Sequence, residues 1–363
     1  MPAAEISARA VVAPLWQGGL VSRGQDGELV TAARVGDEAA FAELVKRYRE
    51  ELRVHCYRML GSFEESEDLV QETFLRAWKK LAGFEGRSSF RTWLYRIATN
   101  ACLDALDGQA RRMLPQHAAG PSQPGAPLRA PTDIAWLQPY PDTQWEPAAP
   151  SDDEPDAAVV SRETIELAFL AAIQHLPPRQ RATLILRDVL GWPADQTAVV
   201  LETSVASANS ALQRARATLR SVLPSRRQQW APTMRPTTEE KEILRRYMKA
   251  ITSGDLHAVA ALLAEDVRTG MPPFANWYSG RDAVLAALAA GFDTDRFHLV
   301  PVGANRQPAL ASYLRDPDTL VYNAFAIGLF TIEQGVITEI TSFHLPSLFA
   351  SFALPDRVLA HDR

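Results

Sequence analysis

The sequence predicts a multidomain fold class, with two all-α helical domains followed by a C-terminal α+β domain. Three observations carry this. Residues 41–106 and 177–220 repeat apolar side chains at helical spacings of three and four, a proline-rich tract separates them, and after Pro236 helical patterning gives way to strand-like runs. A chain of 363 residues also has the length of two or three domains rather than one core. The expected boundaries are a disordered extension at 1–30, a helical bundle at 31–110, a linker at 111–160, a helix-turn-helix domain at 161–225 and the α+β domain at 237–350.

The extension through Arg23 is broken by Pro14, Gln17 and paired glycines, which argues against a secretory signal. The first helix is marked by Phe41, Leu44, Val45, Tyr48, Leu52, Cys56 and Met59. A second follows with Leu69, Val70, Thr73, Phe74, Ala77 and Leu81, opened by the capping-box pair Ser62 and Glu65. Phe90, Trp93, Leu94, Ile97, Ala101 and Leu106 mark a third, and three amphipathic helices with short connections make a bundle. The other face of the third helix sets Arg91, Thr92, Tyr95, Arg96, Thr99 and Asn100 side by side. Guanidiniums neutralise phosphates, Asn and Thr bond base edges, and a ring stacks on an unpaired base. From composition alone an ordinary solvated helix face fits as well.

The linker holds ten prolines between Pro115 and Pro155, and seven acids against three arginines. Regular structure is not expected over most of it, and its negative charge keeps it off DNA. The island Trp136-Leu-Gln-Pro-Tyr-Pro-Asp142 interrupts the polar tract, and Trp136 and Tyr140 are candidate docking residues, for this chain's own C-terminal domain or for a partner. A spacer with incidental aromatics is the alternative.

Beyond the linker, Pro177 and Pro178 open a helix whose Leu184, Ile185, Val189 and Leu190 can line a core, and Gly191-Trp192-Pro193 stops it. A short helix around Asp195–Leu201, a tight connection at Glu202-Thr-Ser204 and a helix from Val205 to Arg220 have the geometry that lets a second helix enter the major groove. Val205, Ala208, Leu212, Ala215 and Leu219 share its apolar face. Thr203, Ser204, Ser207, Asn209, Ser210, Gln213, Arg214 and Arg216 are left to meet DNA. Although the whole chain is formally −5, residues 203–230 carry five arginines and no acid, and local charge is what a phosphate feels.

After Pro236 the pattern predicts helices at Glu239–Ser253, Asp255–Leu263 and Arg281–Ala290, with strands at His298–Ala304, Ala309–Leu314, Leu320–Thr331 and Val336–His344. Asp266, His298 and His344 are the available acid or base groups. Met271, Phe274, Trp277 and Tyr278, together with Asp266 and His344, form the candidate pocket, and plain core is the competing reading of the apolar ones.

On these residues a family resemblance can be stated. Residues 41–108 resemble region 2, and residues 160–222 region 4, of the extracytoplasmic-function (ECF) sigma factors of the sigma-70 family, most strongly at Asp68–Trp78 and Phe90–Asn100. The resemblance implies that Asp68, Leu69, Gln71, Glu72, Leu75 and Trp78 bind the clamp helices of RNA polymerase. It implies that Phe84, Arg87, Ser88, Ser89, Arg91, Thr92, Tyr95, Arg96 and Asn100 read and melt the start-site-proximal promoter element, and that region 4 reads the upstream element beside the polymerase flap. The chain departs from the family at Asn209 and Ala211, where basic residues are common, and its Asn209–Arg216 run is similar to members with an extra C-terminal domain. Residues 237–350 resemble the SnoaL-like, nuclear-transport-factor-like cone, a fold that hosts both enzymes and inert modules.

The resulting expectation is a sigma factor with a fused C-terminal regulator, not an enzyme, partnered by RNA polymerase core and promoter DNA. No separate anti-sigma partner is implied. A bifunctional protein with a small-molecule isomerase or hydratase, and a DNA-binding repressor that never engages polymerase, are the alternatives. Cys56 and Cys102 lack CxxC spacing, so no metal is expected; no glycine loop cradles a phosphate, so no cofactor is expected. The two cysteines imply no disulfide framework either, which fits a reducing cytoplasm, and there is no run of about 20 apolar residues.

Overall fold

The computed structural model describes residues 22–131, 133–144, 165–222, 236–289, 296–319 and 321–359. Four helices build the first module: α1 (Ser22–Arg34), α2 (Glu38–Leu60), α3 (Phe63–Lys80) and α4 (Phe90–Leu106). Helix α2 begins at Asp37, whose carboxylate accepts the Ala39 and Ala40 amides, and ends at Gly61 in the left-handed region, φ 71°. Helix α3 begins at Ser62, whose hydroxyl accepts the Glu65 amide. The reciprocal half of the capping box is absent, because the Glu65 carboxylate pairs with Arg112 instead. Helix α1 corrects the expectation of disorder over 22–30: Val30 and Ala33 are buried, and Asp26 accepts from Arg47 and Tyr48 of α2. The glycines at 24 and 27 hid it in the sequence. Residues 1–21 lie outside the described residues.

The linker is irregular over most of its described length, as expected, but it is packed rather than an incidental spacer. The described residues of 111–144 make one α-helical turn, α5 (Pro115–Ala118), a 3-10 turn at Asp142–Gln144 and short bridges from Met113 to Trp136 and from Pro141 to Ala304, and pack against the neighbouring modules; residues 145–164 lie outside the described residues. The second module follows with α6 (Leu167–Ile173), α7 (Pro178–Leu184) running into a π-helical turn at Ile185–Val189, α8 (Ala194–Val200) and α9 (Val205–Val222). Ala208, Leu212 and Ala215 of α9 are buried as the spacing predicts, whereas Val205, in the first turn, is exposed. Buried Arg181 of α7 ties the two modules together. Its guanidinium donates to the Ile173, Gln174 and Leu176 carbonyls of its own module and to the Met59 carbonyl at the end of α2.

The third module packs α10 (Thr238–Thr252), α11 (Leu256–Leu262) and α12 (Arg281–Ala289) on a seven-stranded sheet of order β2-β1-β6-β5-β4-β3, with β7 (Arg357–Leu359) beside β5. The strands are β1 (Leu263–Gly270), β2 (Trp277–Ser279), β3 (Phe297–Ala304), β4 (Gln307–Arg315), β5 (Val321–Glu333) and β6 (Val336–Phe343). The sheet is mixed rather than antiparallel, since β1 pairs in parallel with β6. The module also continues past residue 350, through α13 (Leu348–Ser351) to β7.

The sheet has two apolar faces. On one, Leu310, Phe330 and Ile340 meet Leu244, Tyr247 and Val259 of the module's own helices. On the other, Ala309, Ala311 and Leu329 form one cluster with Leu348 and Phe349 of α13, Leu114 and Leu137 of the linker, and Leu167 and Ala171 of α6. The linker and the second module thus complete a core that the third module leaves open. Side-chain size enforces the fit at Gly303 of β3, where a Cβ would lie 2.6 Å from Asp142 Oδ2.

Candidate functional site

The polymerase-facing candidates lie on α3. Asp68, Gln71 and Leu75 are exposed, Leu75 at 55%, while Leu69, Glu72 and Trp78 are half-buried. Glu72 is engaged by Arg76 at 2.7 Å, and the Trp78 ring packs 4.7 Å from Phe41, so these two also serve the bundle. The exposed three form a face with an apolar centre.

The α4 candidates divide differently. Ser89 caps the helix by accepting the Thr92 amide at 3.0 Å, and Arg87 and Ser88 sit in the loop before it, Arg87 pairing with Glu85. Phe84 is buried against Phe90 and Trp93 and supports the loop from beneath. Arg96 is exposed and Asn100 half-buried. Thr92, Tyr95 and Thr99 correct the expectation of a wholly exposed polar face: all three are buried, Tyr95 and Thr99 with no exposed surface, and Thr99 lies 2.9 Å from His55 of α2. Tyr95 is enclosed from both modules: His55 lies 5.0 Å from its ring, Trp192 of the second module packs 4.8 Å from it, and the Arg91 guanidinium lies 5.5 Å over the Trp192 ring. Arg91 is itself held by Glu51 at 2.8 Å. Arg96 donates to Glu202, in the turn between α8 and α9, at 2.8 Å. Burial raises the Tyr95 phenol far above its ordinary range.

The helix-turn-helix candidates remain open. Ser204, Ser207, Asn209, Ser210, Gln213, Arg214 and Arg216 are exposed and Thr203 is half-buried; Ser204 caps α9 through the Ser207 amide at 3.1 Å, and Arg216 pairs with Asp188 at 2.6 Å. Of the two candidate faces, the one on α4 is therefore partly covered and the one on α9 is open.

Trp136 and Tyr140 are both buried. The Tyr140 ring lies between Tyr57 and Phe63 of the first module, 5.0 and 5.2 Å away, and its hydroxyl donates to Glu50 at 2.8 Å. Burial raises the Glu50 carboxyl, with Arg53 opposing. The Tyr140 amide donates to Asn305 Oδ1 at 2.8 Å, in the β3–β4 turn. Gln138 binds the first module as well, donating its amide to the Gly61 carbonyl at 2.9 Å and accepting from the Ser62 hydroxyl at 2.7 Å.

In the third module Asp266 is exposed on β1, which corrects its candidacy as a buried acid: β1 turns Val267 into the core and leaves Asp266 outside. Tyr278 is buried in the helix-facing core, with Met271 packed against it. His344 lies between the Phe274 and Phe325 rings at 5.8 and 4.8 Å, and burial lowers its imidazole to about 4. His298 lies between Tyr313 and Tyr322. Trp277 donates its indole N–H to the Ala119 carbonyl at 2.8 Å, which turns it toward the linker. The sequence reading missed Trp192, Glu202, Asn305 and Arg181; only an aromatic at a helix stop hinted at the first.

Family models match in each of the three modules: Sigma-70 region 2 over residues 44–112, Sigma-70 region 4 over residues 166–219, and a SnoaL-like domain over residues 244–340. The ECF RNA polymerase sigma factor SigG of Mycobacterium tuberculosis is 41% identical over 89% of this chain and 85% of its own length. The ECF sigma factor SigW of Bacillus subtilis is 29% identical over 53% of this chain and 94% of its own. Among solved structures, the extracytoplasmic-function sigma factor SigJ of Mycobacterium tuberculosis superposes with a TM-score of 0.54 at 21% identity, covering 88% of this chain and 100% of that one, and so shares the fold. None of the described helices is long and apolar enough to cross a membrane.

Proposed function

The chain belongs to the ECF RNA polymerase sigma factors, which direct promoter-specific initiation with RNA polymerase, and from that premise we propose how its surfaces divide the work. The exposed α3 face, Asp68, Gln71 and Leu75 with the half-buried Leu69, Glu72 and Trp78 at its margin, binds the polymerase core at its clamp. The loop at 83–89 and α4 read and melt the start-site-proximal element through Arg87, Ser88, Arg91, Arg96 and Asn100, with Phe84, Ser89 and Thr92 shaping the loop. The exposed face of α9, from Ser204 to Arg216, holds the upstream element as duplex near the polymerase flap.

The third module is a fused regulator rather than an enzyme. The observation that carries this is the shared apolar cluster in which Leu114, Leu137, Leu167 and Ala171 close the sheet. A face occupied by the chain's own sigma modules couples the sheet to transcription. It does in one chain what a separate anti-sigma protein does for other sigma factors. On the enzymatic side, Asp266 is exposed and His344 is enclosed by the Phe274 and Phe325 rings.

Run-off transcription with purified polymerase core tests the division. Specific base contacts contribute about 1–3 kcal/mol each, so Arg96→Ala and Asn100→Ala lower open-complex formation roughly tenfold while core binding stays at the wild-type level. Equal loss of both activities would refute the assignment.

A further inference from the structure

We propose that Trp192 and Glu202 together occupy, in the free chain, the place on α4 that an unpaired promoter base and its phosphate take in the open complex, so that region 4 itself blocks single-stranded DNA. This rests on the assignment of α4 to the promoter.

The two residues supply the two chemistries that a nucleotide would. The Trp192 indole is a planar aromatic set against Tyr95 at 4.8 Å and under Arg91 at 5.5 Å, the tyrosine and guanidinium pair suited to stacking a base. The Glu202 carboxylate is an anion on Arg96, bound through Nε at 2.8 Å and Nη2 at 2.5 Å, where a phosphate oxygen would be bound the same way. Both arise from region 4 and land on one helix, Trp192 against Arg91 and Tyr95 and Glu202 on the adjacent Arg96.

Region 4 presents them as preformed features. The Trp192 amide donates to the Leu186 carbonyl at 2.9 Å, and its carbonyl accepts from Arg187 at 2.5 Å, so its backbone is fixed by its own module. Glu202 sits at φ 51° in the tight turn that the helix-turn-helix requires, which places its side chain at the interface. The receiving side is equally preformed, because Glu51 holds Arg91 through both Nε and Nη2. The fit is nevertheless incomplete. The Tyr95 hydroxyl is buried without a well-formed hydrogen bond, and the Arg96–Glu202 pair stays about half exposed, at 46% and 52%. An interface of this kind closes without being irreversible. The exposed α3 face with Leu75 is accessible in the same state, so polymerase can engage the closed chain before DNA does.

The test is fluorescence anisotropy of the full-length protein with a fluorescein-labelled pool of random single-stranded DNA. Trp192→Ala should tighten binding about tenfold, the scale of one aromatic stacking contact. Glu202→Arg, at an exposed turn, should tighten it severalfold and covers the case in which Trp192→Ala does not fold by circular dichroism. Folded variants that bind as wild type, while Arg96→Ala still weakens binding, would overturn the occlusion alone. If Arg96→Ala and Asn100→Ala have no effect in the Trp192→Ala background, the α4 assignment fails and takes this proposal with it.

Discussion

Replacing Asn305 is the sharpest perturbation the fold offers. Asn305 is fully buried in the β3–β4 turn at φ 54°, a left-handed conformation that asparagine tolerates better than most residues. Its side chain accepts the Tyr140 amide at 2.8 Å and donates to the Tyr57 hydroxyl at 2.8 Å and the Ile165 carbonyl at 2.6 Å. One amide thereby joins region 2, the linker and the entry to α6 to the C-terminal sheet. Asn305→Ala leaves the Tyr140 N–H and the Ile165 carbonyl buried and unpaired, at about 1–3 kcal/mol each. It adds about 1 kcal/mol for alanine in the left-handed region, for a total of roughly 3–7 kcal/mol. Because the lost bonds run between modules, the expected result is separation of modules before unfolding. Differential scanning calorimetry should resolve an extra low-temperature transition, small-angle scattering should report a larger radius, and trypsin should cut the linker after Arg129. Asn305→Gly removes the same bonds but relieves the backbone, so it should be milder by about 1 kcal/mol. An Asn305→Ala protein that melts in one wild-type transition and stays compact would refute the reasoning.

The remaining predictions concern acid stability and polymerase binding. Burial lowers His344 to about 4 and His55 to about 3, both below the ordinary 6.5, so the stability each gives is complete above that value and is lost as pH falls toward the folded pKa. At about pH 5 each loses roughly 1–2 kcal/mol. His344→Gln should therefore flatten the fall in urea-unfolding stability between about pH 7 and about pH 5 by that amount, and an unchanged fall would contradict it. Leu75→Arg places a charge at the apolar centre of the exposed α3 face and should weaken core binding about tenfold, the cost of one interface anchor, without moving the melting temperature. Wild-type affinity in a core pull-down titration would remove Leu75 from that surface.

Much of this fold was legible because its regular elements follow their periods. Helices α2 to α4 bury the predicted stripe, and β3 to β6 stand within a few residues of their expected limits. Strand β1 was not legible, since a register shift between Leu263 and Arg268 breaks the two-residue alternation, and β2 has only three residues. The site was legible as a surface but not as a state. Local pattern puts Tyr95 beside Arg91 and Arg96 on a polar face, and one of the residues that bury it lies about a hundred positions away, where Trp192 reads only as a helix stop. Arg181 and Asn305 leave no signal at all, because their partners are mostly backbone groups, which no side-chain pattern encodes, and the contacts that join modules lie far away in the chain.

On the occlusion proposed above, these distant contacts give the C-terminal module a hold on promoter access. Region 4 is gripped at two ends. At one, Leu167 and Ala171 of α6 are built into the sheet's second core and the Leu167 amide donates to Gln307 at 2.9 Å. At the other, Arg181 holds the end of α2, and Gln174 donates to the Arg58 carbonyl at 3.4 Å. Lifting Trp192 from α4 by moving α6 to α9 as one body must break the Arg181 and Gln174 contacts, and must either carry the sheet along or open its apolar cluster. The linker opposes carrying the sheet, because Gln138 and Tyr140 fasten it to region 2 while Asp142 seats on the Arg306 amide and Gly303. The sheet therefore adds its own hold to a lock that the Arg96–Glu202 pair, the Trp192 indole and the Arg181 and Gln174 contacts already make.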